Sequence, residues 1–174
     1  KNGLNIALNE ARLSAGFQTD FVLKKLSLTH VVSSAINTQK TAFIQRNIYP
    51  AISIPEEMMI ISDEKWLAFM IEQLLTNSLK YSYSEGKIDV TAIAHEETIQ
   101  LMMTDYGVGI PASDLPRVKR PFFTGENGRT FGEATGMGLY LVNQVAEGLD
   151  IQLQIDSIFG QGTTITLVFP KIKQ

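Results

Sequence analysis

Three short stretches constrain this chain more than anything else in it. They are Asn77-Ser78-Leu79-Lys80-Tyr81, then Asp105-Tyr106-Gly107-Val108-Gly109, then Gly136-Met137-Gly138-Leu139. The first lies on a helix-periodic segment, the second joins an aspartate to a glycine turn, and the third is a glycine turn that opens a helix. Each is weak by itself. Their order and spacing are far more specific than any one of them.

The helix carrying the first stretch starts at Ser62-Asp63-Glu64, where acidic residues suit the first turn, and runs to about Ser82. Its apolar stripe is Leu67, Met70, Ile71, Leu74, Leu75 and Ser78. At about 100° per residue, Gln73, Asn77 and Lys80 fall within roughly 60° of one another on a different face. The helix back is thus set for burial, and three polar groups share one side.

Around it the pattern is mixed. Leu4, Leu8, Ala11 and Ala15 share a helical face that ends at Gly16, and Phe17 to Leu26 reads as a connector. Ser27 suits the cap of a further helix reaching about Arg46. Ile48, Ile52 and Ile54 alternate as a strand that Pro50 assigns to an edge or a bulge. Met59-Ile60-Ile61 is a short strand. Ile88 to Ala92 and Ile99 to Met103 form a hairpin around His95-Glu96-Glu97. Pro111 to Thr135 is rich in Gly, Pro and charge, the composition of a lid or of disorder. A helix from Met137 to Gly148 follows, then strands at Ile151-Leu153-Ile155 and Ile165-Leu167-Phe169 around Gly160-Gln161-Gly162.

At 174 residues and 44% hydrophobic content, the chain fits one compact domain with a core. Without cysteine there is neither a disulfide framework nor a thiolate metal site. A net charge of −3 with scattered Lys and Arg gives a nucleic-acid surface no electrostatic support. No apolar run approaches the roughly 18 residues of a membrane span, and no secretory signal opens the chain. The abrupt start at Lys1-Asn2-Gly3 suggests a piece of something longer.

The chemistry available to each stretch is definite, and so is the ordinary alternative. Asn77 offers a carbonyl oxygen suited to Mg²⁺; it and Lys80 also fit a plain solvated helix face. Asp105, an acceptor when ionised, suits an exocyclic amine such as adenine N6, and Gly107 and Gly109 let backbone approach a flat ring; a strand-ending Asp-x-Gly turn fits equally. The N–H groups of Gly136-Met137-Gly138 would suit phosphate, or would simply form a tight loop. Lys119, Arg120 and Arg129 suit phosphate neutralisation by a closing lid, or plain solvation. Phe122-Phe123 fits a lid anchor or a small cluster under a loop. His30 and His95 read as structural or solvent-facing, since neither has the helical carboxylate context of a phosphoacceptor.

Together these segments resemble the ATP-binding catalytic domain of sensor histidine kinases, within the gyrase, Hsp90, histidine kinase and MutL ATPase superfamily. The resemblance runs from about Asp63 to Pro170. Gln73 to Ser82 looks like the asparagine box, Asp105 to Ile110 like the first glycine box and Thr135 to Leu141 like the second. Gly160-Gln161-Gly162-Thr163-Thr164 is similar to the closing Gly-x-Gly-Thr element. Phe123 to Arg129 resembles the lid of small-ectodomain kinases of Gram-positive bacteria that answer envelope stress or antimicrobial peptides, often beside ABC transporters. Ala11-Arg12-Leu13 and Lys25-Leu26-Ser27-Leu28 resemble the phosphoacceptor–catalytic junction of that group.

The resemblance implies a two-layer α/β sandwich of α+β class: a mixed sheet, helices on one face, and ATP between the helices and a lid. It divides the chain into residues 1–26, the remnant of a phosphoacceptor and dimerisation helix with its linker, and 27–174, the catalytic domain. It implies Mg²⁺ on Asn77, with Gln73 as a second ligand, and Lys80 and Tyr81 near phosphates or ribose. Asp105 would read adenine beside Gly107, Gly109 and Ile110. Thr135, Gly136, Met137, Gly138 and Leu139 would wrap phosphates, with Arg129 and Thr163 completing the nucleotide contacts. The implied cofactors are ATP and Mg²⁺. The implied partners are the parent's own phosphoacceptor domain, a response regulator, an ABC transporter and a second copy of the parent, as the cytoplasmic part of a membrane protein.

Two departures stand out. Gln73 occupies a position that is often Asn in these kinases and a catalytic Glu in related ATPases, so unaided ATP hydrolysis should be poor. The lid reads Arg117-Val118-Lys119-Arg120-Pro121-Phe122-Phe123, where many relatives carry an acidic residue near the phenylalanine. A His followed by an acidic residue on a helix, the phosphoacceptor pattern, is absent from these residues. A serine kinase of the anti-sigma-factor type and a non-catalytic ATP-binding relay are the alternatives.

Overall fold

The computed structural model describes residues 21–83, 85–117 and 138–172. Five strands form one mixed sheet in the order β2-β4-β5-β7-β6, from β2 (Tyr49–Ser53), β4 (Lys87–Ala94), β5 (Thr98–Asp105), β6 (Gln152–Ile158) and β7 (Gly162–Pro170). Only β2–β4 is parallel; the other three pairs are antiparallel. β2 is an edge strand, which accommodates the missing amide of Pro50. A second sheet of two strands pairs β1 (Leu23–Ser27) antiparallel to β3 (Met59–Asp63).

The helices are α1 (Leu28–Thr38), α2 (Lys40–Arg46), α3 (Glu64–Tyr81) and α4 (Gly138–Gly148). α3 packs between α1 and α4 and onto β5, so the layer expected on one face of the sheet is present. Alternation along β4 and β5 turns Ile88, Val90, Ala92, Ile99, Leu101 and Met103 toward the helices, all buried. Leu67, Met70, Ile71, Leu74 and Leu75 of α3 meet them, each with no exposed surface. At roughly 1.5–3 kcal/mol per fully buried aliphatic side chain, this helix–sheet contact is the main stabilising term of the fold.

Two expectations change. The connector expected over Phe17 to Leu26 becomes strand β1 from Leu23 onward, because an extended chain there satisfies its backbone groups against β3. The single helix expected from Ser27 to Arg46 breaks at Gln39, whose N–H faces the Ala35 and Ile36 carbonyls at 3.3 and 3.0 Å. Its φ of −96° and ψ of 12° end one helix and start the next. Ser27 does cap α1, accepting from the His30 amide at 3.2 Å.

Asp63 fixes the start of α3. One carboxylate oxygen accepts from the Trp66 amide at 3.0 Å, and the other accepts from the Val22 amide at 2.8 Å. Phe21, Trp66 and Phe69 stack edge to face beside it, with centroids 6.3 and 5.7 Å apart. The incoming chain is thereby tied to the first turn of the helix.

Candidate functional site

Asp105 is the last residue of β5 and keeps the parity of Ile99, Leu101 and Met103, so its carboxylate lies on the helix-covered side of the sheet. It is only 4% exposed. Burial pushes its pKa up from 3.8 to about 6, against the opposing pull of the Gly107 and Thr163 amides. The Gly107 amide donates to Oδ1 at 3.0 Å. A buried carboxylate held by backbone amides retains acceptor capacity that a further N–H donor can use.

The turn after Asp105 is clamped on two sides. On one, the Val108 amide donates to the Tyr81 carbonyl at 3.1 Å. A Cβ on Gly107 would lie 2.0 Å from the same oxygen, so only glycine allows this approach to the end of α3. On the other, the Gly160 amide donates to the Val108 carbonyl at 2.6 Å, and a Cβ on Gly109 would meet the Ile158 carbonyl at 2.3 Å. Gly109 also has φ of +74°, a left-handed conformation. Ser157 completes this side: its Oγ accepts from the Ile110 amide at 2.7 Å and lies 2.8 Å from both the Gly162 carbonyl and Thr163 Oγ1.

Three of the expected stations thus come together: the end of the α3 stripe, the Asp105 turn and the Gly160–Thr163 turn. Gln73, Asn77, Lys80 and Tyr81 are all half-buried on α3. Burial holds the Tyr81 phenol above its usual range, so it stays protonated. Thr163 is itself buried and opposes Asp105 across β5 and β7, a supporting place behind the carboxylate. Ile110 is half-buried and anchored through its amide. Gly138 begins α4, and Leu139 packs against the core. Arg129, Thr135, Gly136 and Met137 lie outside the described residues, as do Lys119, Arg120 and Phe122-Phe123. His30 and His95 are exposed, and His95 Nε2 lies 3.1 Å from Gln100 Oε1.

Several residues of this arrangement carried no signal in the sequence. Ser157 becomes a hub only once β6 pairs with β7. Arg46, near the end of α2, reaches the last carbonyls of α3, and Tyr106 donates its hydroxyl to Asp89.

The profile of the histidine kinase-, DNA gyrase B- and HSP90-like ATPase family matches residues 62–173, which include α3, the Asp105 turn and the Gly160–Thr163 turn. The chain belongs to this ATPase family. As a member it has an ATP-binding domain.

Among proteins similar to this ATPase-family chain, the sensor histidine kinase YxdK of Bacillus subtilis is 39% identical over 168 residues, covering 96% of this chain and 51% of that protein. The sensor histidine kinase GraS of Staphylococcus epidermidis is 36% identical over 152 residues, or 87% of this chain and 44% of that protein. The chain spans about half the length of the curated relatives it matches. Among solved structures, the Acinetobacter baumannii histidine kinase AdeS superposes with a TM-score of 0.80 at 17% identity, covering 98% of this chain and 77% of that one. The catalytic domain of histidine kinase ThkA gives 0.76 at 16% identity, covering 87% of this chain and 99% of that one. These likenesses show a shared fold.

Proposed function

We propose that this domain binds Mg–ATP and, in its parent protein, passes the γ-phosphoryl group to a histidine on another segment. The observation that carries the reading is Asp105: a carboxylate buried on the helix side of the sheet and held in a glycine turn against the end of α3. Asp105 accepts from the adenine amine, and Gly107 and Gly109 let its turn pack directly against the Tyr81 and Ile158 backbone that holds the carboxylate in place.

Mg²⁺ takes few protein groups beside phosphate and water oxygens. Asn77, with Gln73, supplies amide carbonyl oxygens for it, and the ion when bound neutralises phosphate charge. Lys80 and Arg129 assist in that neutralisation, Thr135 to Leu139 wrap the phosphates, and Tyr81 and Ile110 border the site. Phosphoryl transfer depends mainly on alignment and charge neutralisation, so the domain's role is positioning. Gln73 cannot act as a base, which favours transfer to a partner segment over hydrolysis.

The similarity to YxdK and GraS supports a two-component sensor as the parent, with a response regulator downstream and a second copy as dimer partner. A membrane-anchored parent with this domain in the cytoplasm, working beside an ABC transporter, belongs to the same reading. No helix among the described residues is long and apolar enough to cross a membrane. The expected division at residue 27 belongs to the same reading, and the pairing of β1 with β3 favours moving the start of the catalytic domain from residue 27 to before Leu23. The test is phosphotransfer in trans: the chain, labelled ATP and a separate phosphoacceptor domain from a related kinase. Acid-labile label on the acceptor and none on this chain is expected. Label on the chain itself would overturn the external acceptor, and nucleotide binding without transfer would leave a relay module.

A further inference from the structure

A helix leaves its last carbonyls without partners of its own. At the end of α3, Arg46 provides them from outside. Its Nη1 donates to the Leu79 carbonyl at 2.6 Å and its Nη2 donates to the Ser82 carbonyl. Its own carbonyl accepts from the Glu85 amide at 3.2 Å, so the residue holds both ends of the turn that leaves α3. A planar two-pronged cation suits this place twice over: it matches two carbonyls, and positive charge is favoured at a helix C-terminus. The Ser82 hydroxyl, donating to the Ser78 carbonyl at 2.6 Å, tightens the same turn.

Between the two carbonyls that Arg46 holds lies that of Tyr81, which receives the Val108 amide and against which Gly107 is pressed. Gly107 in turn donates to Asp105. A continuous set of contacts therefore runs from Arg46, through the last turn of α3, to the buried carboxylate. We infer that Arg46 is a positioning residue of the nucleotide site, fixing the height and rotation of the last turn of α3 and so the seat of the Asp105 turn. It acts through Leu79, Ser82 and Tyr81 and does not touch the nucleotide. The inference builds on the nucleotide reading above.

The experiment compares Arg46→Ala and Arg46→Lys with the unaltered chain by three measurements: amide hydrogen exchange at Val108, ATP affinity by calorimetry, and thermal midpoint. In Arg46→Ala, Val108 exchange should quicken by about tenfold while the Leu101 and Leu167 amides keep their protection, since a charge-assisted hydrogen bond controls the opening. ATP affinity should fall by about tenfold, and Arg46→Lys should recover part of both losses because a cationic donor remains without the two-pronged geometry. A lower thermal midpoint with Val108 exchange and affinity unchanged would make Arg46 a stabiliser only and overturn the inference. Should Arg46→Ala not fold, Arg46→Lys decides by the same readouts, intermediate values supporting the role and unaltered ones rejecting it. If the unaltered chain fails to bind ATP, the nucleotide reading falls, while Val108 exchange still decides whether Arg46 seats the turn.

Discussion

Gly107 and Tyr81, on different elements, approach so closely that a single added carbon on Gly107 would stand 2.0 Å from the Tyr81 carbonyl oxygen. The end of α3 and the turn after β5 therefore form one unit, and the chemistry of both depends on a missing side chain.

Gly107→Ala should accordingly be costly. The obstruction is backbone, with the Ser82 Cα at 2.8 Å as well, so no rotamer change relieves it. A loss of about 2–4 kcal/mol in denaturant unfolding is expected, in the range of severe overpacking. ATP binding should be undetectable by calorimetry, because the turn must leave Tyr81 to make room.

Asp105→Asn should do the opposite to stability while removing function. A carboxylate whose pKa is raised from 3.8 to about 6 on folding favours the native state fully only below pH 3.8, and that contribution is lost as pH rises through 6. At pH 8 the charged group is therefore a burden, and the neutral amide should stabilise the ligand-free domain by about 1–3 kcal/mol. Denaturation at pH 8 and pH 4 checks this: the gain should shrink at the lower pH. The same variant should lose most of its ATP affinity, since the amide cannot offer the same paired acceptor.

Nucleotide affinity should have its own pH dependence, of the reverse sign to stability. The ionised carboxylate is the acceptor form, so binding should strengthen as pH rises through about 6 and level off above it. Calorimetric titrations from about pH 5 to 8 should show the inflection in the unaltered chain and not in Asp105→Asn, which separates it from titration of the phosphates themselves.

Ser157→Ala leaves the Ile110 amide without its 2.7 Å partner and releases the Gly162–Thr163 side of the turn. An unfolding penalty of about 1–3 kcal/mol is expected for the abandoned donor. Ser157→Thr, which keeps the hydroxyl, should retain more of the stability when both are compared by thermal melts.

Much of this is legible in the sequence. The stripe Leu67 to Leu75 announced α3 because burial against a sheet demands one apolar face, and Asp63 and Ser82 bound the helix where the sequence placed its ends. Asp105 could be placed at a strand end because Gly107 and Gly109 follow it. β1 was not legible: Leu23-Lys24-Lys25-Leu26-Ser27 lacks alternation, and only pairing with a strand 36 residues away, Leu23 to Met59 by first residues, makes it one. The break at Gln39 reflects local competition for carbonyls that helical periodicity does not encode. Arg46 and Ser157 looked like ordinary polar residues, since Arg46 meets carbonyls at the end of α3, 33 and 36 residues off, and Ser157 meets the Ile110 amide 47 residues off.

The two-sided clamp on Val108, to Tyr81 through its amide and to Gly160 through its carbonyl, has a thermodynamic corollary. A loop already riveted in place has little freedom left to surrender when a guest arrives. On the proposed reading, a base that meets Asp105 finds its turn already seated, and contacts made there need not be discounted for organising their own host.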